Sequence, residues 1–172
     1  MAPLDRLPAL ADDGVFHVVV ESPRGSAVKL KYESSFEAMS ISRPLSLGLV
    51  FPFDWGFVPS TRGADGDPVD AIVLWDVSTY PGVVIPCRPI AVLKIDQLAP
   101  DGRRIRNDRV IGRPTSSRRD ADAPPSSALS TRERAELAEF LLASTTLEGK
   151  EARILGWDGE EAVLELIRSS GI

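Results

Sequence analysis

The chain has 172 residues, 43% hydrophobic and 26% charged, enough to bury a core and ordinary for a globular protein. Its formal net charge of -5 argues against a general nucleic-acid binder, but not against an anionic substrate, because a bound divalent cation reverses the local sign. The single cysteine, Cys87, excludes an intrachain disulfide; with no apolar leader and no run of about 18 apolar residues, a reducing cytoplasm and no membrane are expected.

Val15–Glu21 is β-branched and apolar and predicts a strand, with His17 in it as a structural or surface residue. Ser22-Pro23-Arg24-Gly25 predicts a turn. Ala27–Glu33 then alternates Val28, Leu30 and Tyr32 against Lys29, Lys31 and Glu33, so the three charged side chains leave one face of a half-buried strand. Asp70–Trp75 and Pro89–Ile95 are further apolar strand candidates. Pro100-Asp101-Gly102 is a turn with a mechanism, proline setting φ and glycine tolerating positive φ, and it predicts a hairpin with arms Ile90–Gln97 and Arg104–Ile111.

Residues 113–129, rich in Pro, Ser, Asp and Arg, predict an irregular surface segment. Ser130-Thr131-Arg132-Glu133 is a capping-box pattern ahead of Ala135, Ala138, Leu141 and Leu142 at helical spacing. Asp158-Gly159-Glu160-Glu161 repeats the signature before Val163, Leu166 and Ile167, and Gly171 is placed to end that helix. Short strands followed by two helices predict one domain over residues 1–172, mainly β with α (α+β), as a small closed β-barrel with two C-terminal peripheral helices.

The segment richest in chemistry is Asp65-Gly66-Asp67-Pro68-Val69-Asp70, with three carboxylates in six residues. Crowded carboxylates raise one another's pKa unless cations hold them, and hard divalent cations prefer such oxygen ligands. A solvated acidic turn is an equally simple reading of this segment alone. A calcium loop of the EF-hand type is not, because the required glycine and closing glutamate are missing.

Asp65-Gly66-Asp67-Pro68-Val69-Asp70-Ala71 resembles the signature of soluble (family I) inorganic pyrophosphatases. The similarity extends upstream through Val20-Glu21-Ser22-Pro23, Lys31-Tyr32-Glu33, Arg43 and Phe51-Pro52-Phe53-Asp54-Trp55-Gly56-Phe57. Downstream it runs through Cys87–Lys94, Leu147-Glu148-Gly149-Lys150 and Gly156-Trp157, covering roughly residues 14–168. The resemblance implies a five-stranded, OB-like barrel, several Mg²⁺ ions, pyrophosphate as the substrate and a homo-oligomer, commonly a hexamer. It implies that Asp65, Asp70 and Asp96 ligate metal and that Asp67 is the general base or orients the attacking water. Glu21 joins the metal set and Glu33 the substrate set, both acting mainly through metal-bound waters. Lys31 and Arg43 would hold phosphate oxygens, with Trp55 and Arg109 also substrate-binding.

Several positions depart from the family pattern. After Asp96-Gln97, the expected acid and lysine fall either on Asp101 and Arg103 or, with a lengthened hairpin, on Asn107 and Arg109. The second is preferred because Pro100-Asp101-Gly102 is too good a turn to be a ligand-bearing strand. Phe51 and Trp55 stand where the family has tyrosines, and Ser144-Thr145 where it has a Tyr-Lys pair. Two alternatives follow: a paralogue acting on another phosphoanhydride, or a non-catalytic binding module that keeps the fold.

Overall fold

The computed structural model describes residues 3–116 and 128–172. Nine strands and two α-helices follow one another as β1 (Phe16–Ser22), β2 (Val28–Glu33), β3 (Ala38–Pro44), β4 (Asp54–Phe57), β5 (Asp70–Val73), β6 (Val84–Leu98), β7 (Arg104–Arg106), β8 (Arg109–Pro114), α1 (Thr131–Thr145), β9 (Arg153–Asp158) and α2 (Glu160–Ser169). The main sheet runs β1-β4-β5-β8-β6, and β6 pairs back onto β1, so five strands close on themselves as the predicted OB-like core. All pairings in that ring are antiparallel except β5 with β8, which are parallel. β2 and β3 form a separate two-stranded sheet.

Closure requires a strand long enough to serve several neighbours, and β6 is that strand. It pairs with β1 through Val84–Cys87, with β8 through Cys87–Leu93, and with β9 and β7 toward its far end. The predicted strand Pro89–Ile95 is therefore its middle. Cys87 is fully buried there, and burial pushes its thiol pKa well up, as befits a small apolar residue rather than a nucleophile. His17 is also structural, its Nδ1 lying 2.7 Å from the Pro8 carbonyl oxygen.

Two apolar clusters fill the space under the sheet. Phe16, Val18, Val20, Ala71 and Val110 pack with Val163 and Ile167 of α2, while Ile72, Leu93, Ile95 and Ile111 pack with Leu137 and Leu141 of α1. The buried face of α1 is thus Leu137, Phe140 and Leu141; Ala135 and Leu142, expected on it, are exposed, since the stripe at i, i+3, i+4 falls one column over. The capping box at Ser130 and Glu133 is present in full. The one expected at α2 is not: Gly159 is the N-cap without a side-chain bond, because Asp158 ends β9 and pairs with Lys94 at 2.8 Å. Of the expected irregular segment, Arg113 and Pro114 complete β8 and Leu129 is buried in the α1 cluster, while residues 117–127 lie outside the described residues.

Backbones approach most closely where β1 crosses β4. A Cβ on Gly56 would stand 1.9 Å from the Val19 carbonyl oxygen, and neither strand can yield because both are tied into the ring. Gly56→Ala is expected to destabilise the fold by at least about 3 kcal/mol, the upper end for overpacking, as read from the denaturant midpoint. Ser130→Ala, which removes only the α1 cap, should cost about 1 kcal/mol in the same measurement.

Candidate active site

The open end of the ring carries the charged residues. β1 carries Glu21 one residue before its end, β5 begins with Asp70 and β8 begins with Arg109, and the parallel register sets Asp70 directly beside Arg109. Over this rim lies the β2–β3 sheet, whose alternation turns Lys29, Lys31 and Glu33 toward it. The C-terminal end of α1, the turn at Glu148 and Lys150 close the far wall. The result is a cleft of two adjoining lobes that share Glu21, Lys29 and Asp70.

The first lobe, of about 280 Å³, is the acidic one, lined by Glu21, Glu33, Asp67 and Asp70 together with Lys29 and Lys31. The loop carrying the aspartates is held at its neck by the buried Thr61. Its hydroxyl donates to the Val58 carbonyl at 2.6 Å and accepts from the Val69 amide at 3.0 Å. Within the loop the Asp67 amide donates to Asp65 Oδ1 at 3.2 Å, an Asx-type turn, and Gly66 takes φ +90°, which explains the Asp-Gly-Asp spelling. Asp67 is left exposed, and Lys31 Nζ lies 3.2 Å from both of its oxygens.

The second lobe is basic and aromatic. Arg43, Arg109 and Lys150 line it with Trp55 and Phe51, and Ser144 and Thr145 stand at the end of α1. Trp55 packs on Phe51 and Phe140 with ring centroids 5.7 and 5.5 Å away. Arg43 pairs with Glu148 and donates to the Ser144 carbonyl at 2.9 Å; Lys150 pairs with Glu148 at 2.9 Å. Arg109, 8% exposed, pairs with Asp70 at 2.9 Å. The Ser144 and Thr145 hydroxyls both donate to the Leu141 carbonyl, at 3.0 and 2.9 Å. Both side chains line the lobe, but their hydroxyl protons are used within the last turn of α1.

The expected site residues therefore gather, with one exception. Glu21, Lys31, Glu33, Arg43, Trp55, Asp67, Asp70 and Arg109 line the two lobes, and Asp65 sits close enough to Asp70 to feel its charge. Asp96 lines neither lobe. It lies in the β6–β7 hairpin, where Arg104 holds its carboxylate and keeps its pKa below the usual range. The geometry of the hairpin favours the second of the two alignments. Asp101 and Arg103 pair with each other at the exposed turn, 2.7 Å apart, while Arg109 enters the cleft two residues after Asn107. Lys29 and Lys150 were not singled out as site residues, although the period-two alternation already put Lys29 on the face of Lys31.

The donor set suits a hard divalent cation. Among the described residues no three acid side chains already converge as a metal shell, since Lys31 and Arg109 hold Asp67 and Asp70. The electrostatics nonetheless call for more positive charge. Burial, then the Asp70 charge, raises the pKa of Asp65; burial, with Asp70 adding, pushes Glu21 up to about 7. Asp65 and Glu21, which resist ionisation because they are crowded and desolvated, are donors a divalent cation would stabilise, and together with the neighbouring Asp70 and Asp67 they are the residues that would hold it.

In chelator, Glu21 binds its proton more tightly folded than unfolded. The wild type should therefore lose stability as pH rises from about 4.5 toward 7 and lose no more from this group above it. Glu21→Gln keeps the acceptor for the Tyr32 amide and removes that loss. The variant should gain on the wild type across this window, by an amount on the order of 3 kcal/mol at its upper end, as measured by denaturant unfolding at several pH values.

The chain matches known proteins over nearly its full length. The family model described as inorganic pyrophosphatase covers residues 18–171. An inorganic pyrophosphatase of Synechocystis is 34% identical over 164 residues, covering 95% of this chain and 94% of its own, and one of Nostoc is 34% identical over 167 residues, covering 97% and 96%. The crystal structure of inorganic pyrophosphatase from Thermus thermophilus superposes with a TM-score of 0.88 at 31% identity, covering 98% of this chain and 97% of that one. With the ring, the two-lobed cleft and the aspartate loop in place, the chain belongs to the inorganic pyrophosphatase family.

Proposed function

We propose that this protein hydrolyses inorganic pyrophosphate to two phosphates, with Mg²⁺ as the divalent cation. The observation that carries the reading is the cleft itself: an acidic lobe and a basic lobe side by side, sharing Glu21, Lys29 and Asp70. A diphosphate is a polyanion whose two ends need different treatment. One must be made electrophilic and attacked by water, and the other must leave carrying extra charge.

Asp65, Asp70 and Glu21 are the residues proposed to hold the cation, with Asp67 at the edge of that set. Bound there, a divalent cation neutralises phosphate charge and lowers the pKa of its water toward neutrality. Asp67 is proposed to take the proton of the attacking water on a carboxylate oxygen while the water oxygen bonds to phosphorus and the bridging oxygen departs with the second phosphate. Its partner Lys31 is exposed, so the 3.2 Å pair costs little to open, and the ammonium can turn to a phosphate oxygen. Arg43 and Arg109 offer guanidinium donors on the basic side, where charge accumulates on the leaving group. Glu33 supports water in the acidic lobe, and the Trp55 indole N–H can donate where a phenol would. Asp96, held by Arg104, would have to leave that partner to reach metal.

No helix of the described residues is long and apolar enough to cross a membrane. A cytoplasmic setting and a hexamer accompany the proposal as the family's usual condition.

Steady-state phosphate release from pyrophosphate should require Mg²⁺ and vanish in chelator. Asp67→Asn should lower kcat by about 10²–10⁴, the range for a general base, without loss of thermal stability. A wild type that releases no phosphate with either Mg²⁺ or Mn²⁺ would count decisively against the reading.

A further inference from the structure

The acidic lobe contains a carboxylate that none of these roles uses. Asp5, in the 3₁₀ turn Leu4–Arg6 ahead of β1, lines it beside Asp67 and Asp70. With Asp5 the lobe gathers five carboxyl groups against two lysines. Glu21, Asp67 and Asp70 each have a donor there: the Tyr32 amide at 2.7 Å, the Lys31 ammonium and the Arg109 guanidinium. Asp5 has none. Among the described residues its half-buried side chain makes no hydrogen bond and no ion pair, and one of its oxygens, Oδ1, is buried.

The backbone holds Asp5 in this place from two sides. Leu4 and Leu7 pack against Val19, Tyr32 and Phe57, and the Leu4 amide donates to Tyr32 Oη at 3.3 Å. Across from them, the Ser60 amide donates to the Asp5 carbonyl and the Ser60 hydroxyl to the Leu7 carbonyl, both at 2.8 Å. Ser60 adjoins Thr61, which ties the neck of the aspartate loop. Asp5 is therefore fixed between the strand that holds Glu21 through Tyr32 and the base of the loop that carries Asp65, Asp67 and Asp70.

A buried carboxylate oxygen without a donor costs folding free energy, and an ordinary turn acid would face water instead. Asp5 does not cap its turn either, since Pro3 is the N-cap and no side-chain bond is made there. Its placement suits a positive charge that enters from outside. A hard divalent cation keeps several of its waters, so an acid at the edge of the site can act through one of them without joining the direct ligands. Such a group also supplies the lobe with negative charge that Asp96, held by Arg104, does not.

We propose that Asp5 is a cation-positioning residue of the acidic lobe, its carboxylate turning to accept a hydrogen bond from water on the divalent cation held by Asp65, Asp70 and Glu21. The proposal rests on the cation reading above and adds to it a residue from outside the ring and the aspartate loop.

The test uses the full chain with Asp5→Asn and Asp5→Glu. Mn²⁺ binding is followed without pyrophosphate by loss of the free-ion EPR signal, and the Mg²⁺ dependence of phosphate release is measured in parallel. Asp5→Asn should weaken Mn²⁺ binding about tenfold, the lower end for a group acting on a metal from beyond its ligands, and raise the Mg²⁺ concentration at half-maximal rate by a similar factor. Asp5→Glu, which keeps the charge, should bind Mn²⁺ within about threefold of wild type. The metal-free melting temperature of Asp5→Asn should stay level or rise, because a charge without a donor is removed.

Mn²⁺ affinity within about twofold of wild type in Asp5→Asn would overturn the proposal. So would a lowered metal-free melting temperature with an affinity loss that Asp5→Glu does not share in reversing, which would make Asp5 a packing residue. A wild type that binds Mn²⁺ but releases no phosphate overturns the hydrolytic reading alone, and the titration then still decides Asp5. A wild type that binds no Mn²⁺ overturns the proposal, whatever phosphate it releases.

Discussion

The Asp70–Arg109 pair is the interaction from which the rest of the cleft takes its electrostatics. Arg109 is nearly buried and Asp70 largely so, and the two meet at 2.9 Å because β5 and β8 run parallel with these residues in register. A buried pair earns little net stability over an apolar one, but losing either partner strands a charge, typically at 3–5 kcal/mol. Asp70 is therefore anchored at the centre of the site, and its neighbours respond. It pushes Glu21 and Asp65 toward the protonated state and helps Lys29 and Lys150 stay charged. One carboxylate thus stands between a lobe richer in acids and a lobe richer in bases.

That division depends on the topology. In a closed ring the strand ends crowd at one rim, and polar side chains there cannot be covered by the core that fills the middle. Asp70 and Arg109 each open their strands, and Glu21 is the last residue but one of its own. The β2–β3 sheet and the end of α1 then wall the rim without sealing it. Burial is thus partial, deep enough to shift pKa values and shallow enough for an ion to enter.

How much of this could be read beforehand follows sequence separation. Asp65, Asp67 and Asp70 stand together in the chain, and their turn is spelled by Gly66, so the loop was legible. The hairpin at Pro100-Asp101-Gly102 was legible for the same reason, since its backbone needs are local. Strand β3 was not, because its residues are exposed or half-exposed on both faces and no alternation marks it. Nor was β4, where the apolar pattern is broken by Gly56 and follows Pro52. Asp96 was misplaced by reading forward from a strand without the arginine that a longer hairpin folds back onto it. The face of α1 was missed by one column because Ala135 and Leu142 satisfy the same spacing as the true stripe. The basic lobe joins Arg43 to Glu148 and Lys150 across more than half the chain, a closure that only the packing of α1 against the ring determines.

The same physics accounts for how the cleft tolerates its own departures. Ser144 and Thr145 remove a charge from the end of α1, yet the field that a polyanion meets depends on the sum of nearby cations rather than on which element carries them. Lys29 and Lys150 line the same lobe as Arg43 and Arg109, whose charges, after burial, depress the ionisation of both lysines. That repulsion is a cost in the free protein, and a bound diphosphate turns it into attraction. Geometry is less forgiving than charge. Arg104 can neutralise Asp96 where it stands, but it cannot place a carboxylate beside Asp70. On the proposed reading the acidic lobe would hold its cation through Asp65, Asp70, Glu21 and the edge residue Asp67, and Lys31 and Arg109 would have to give way to it.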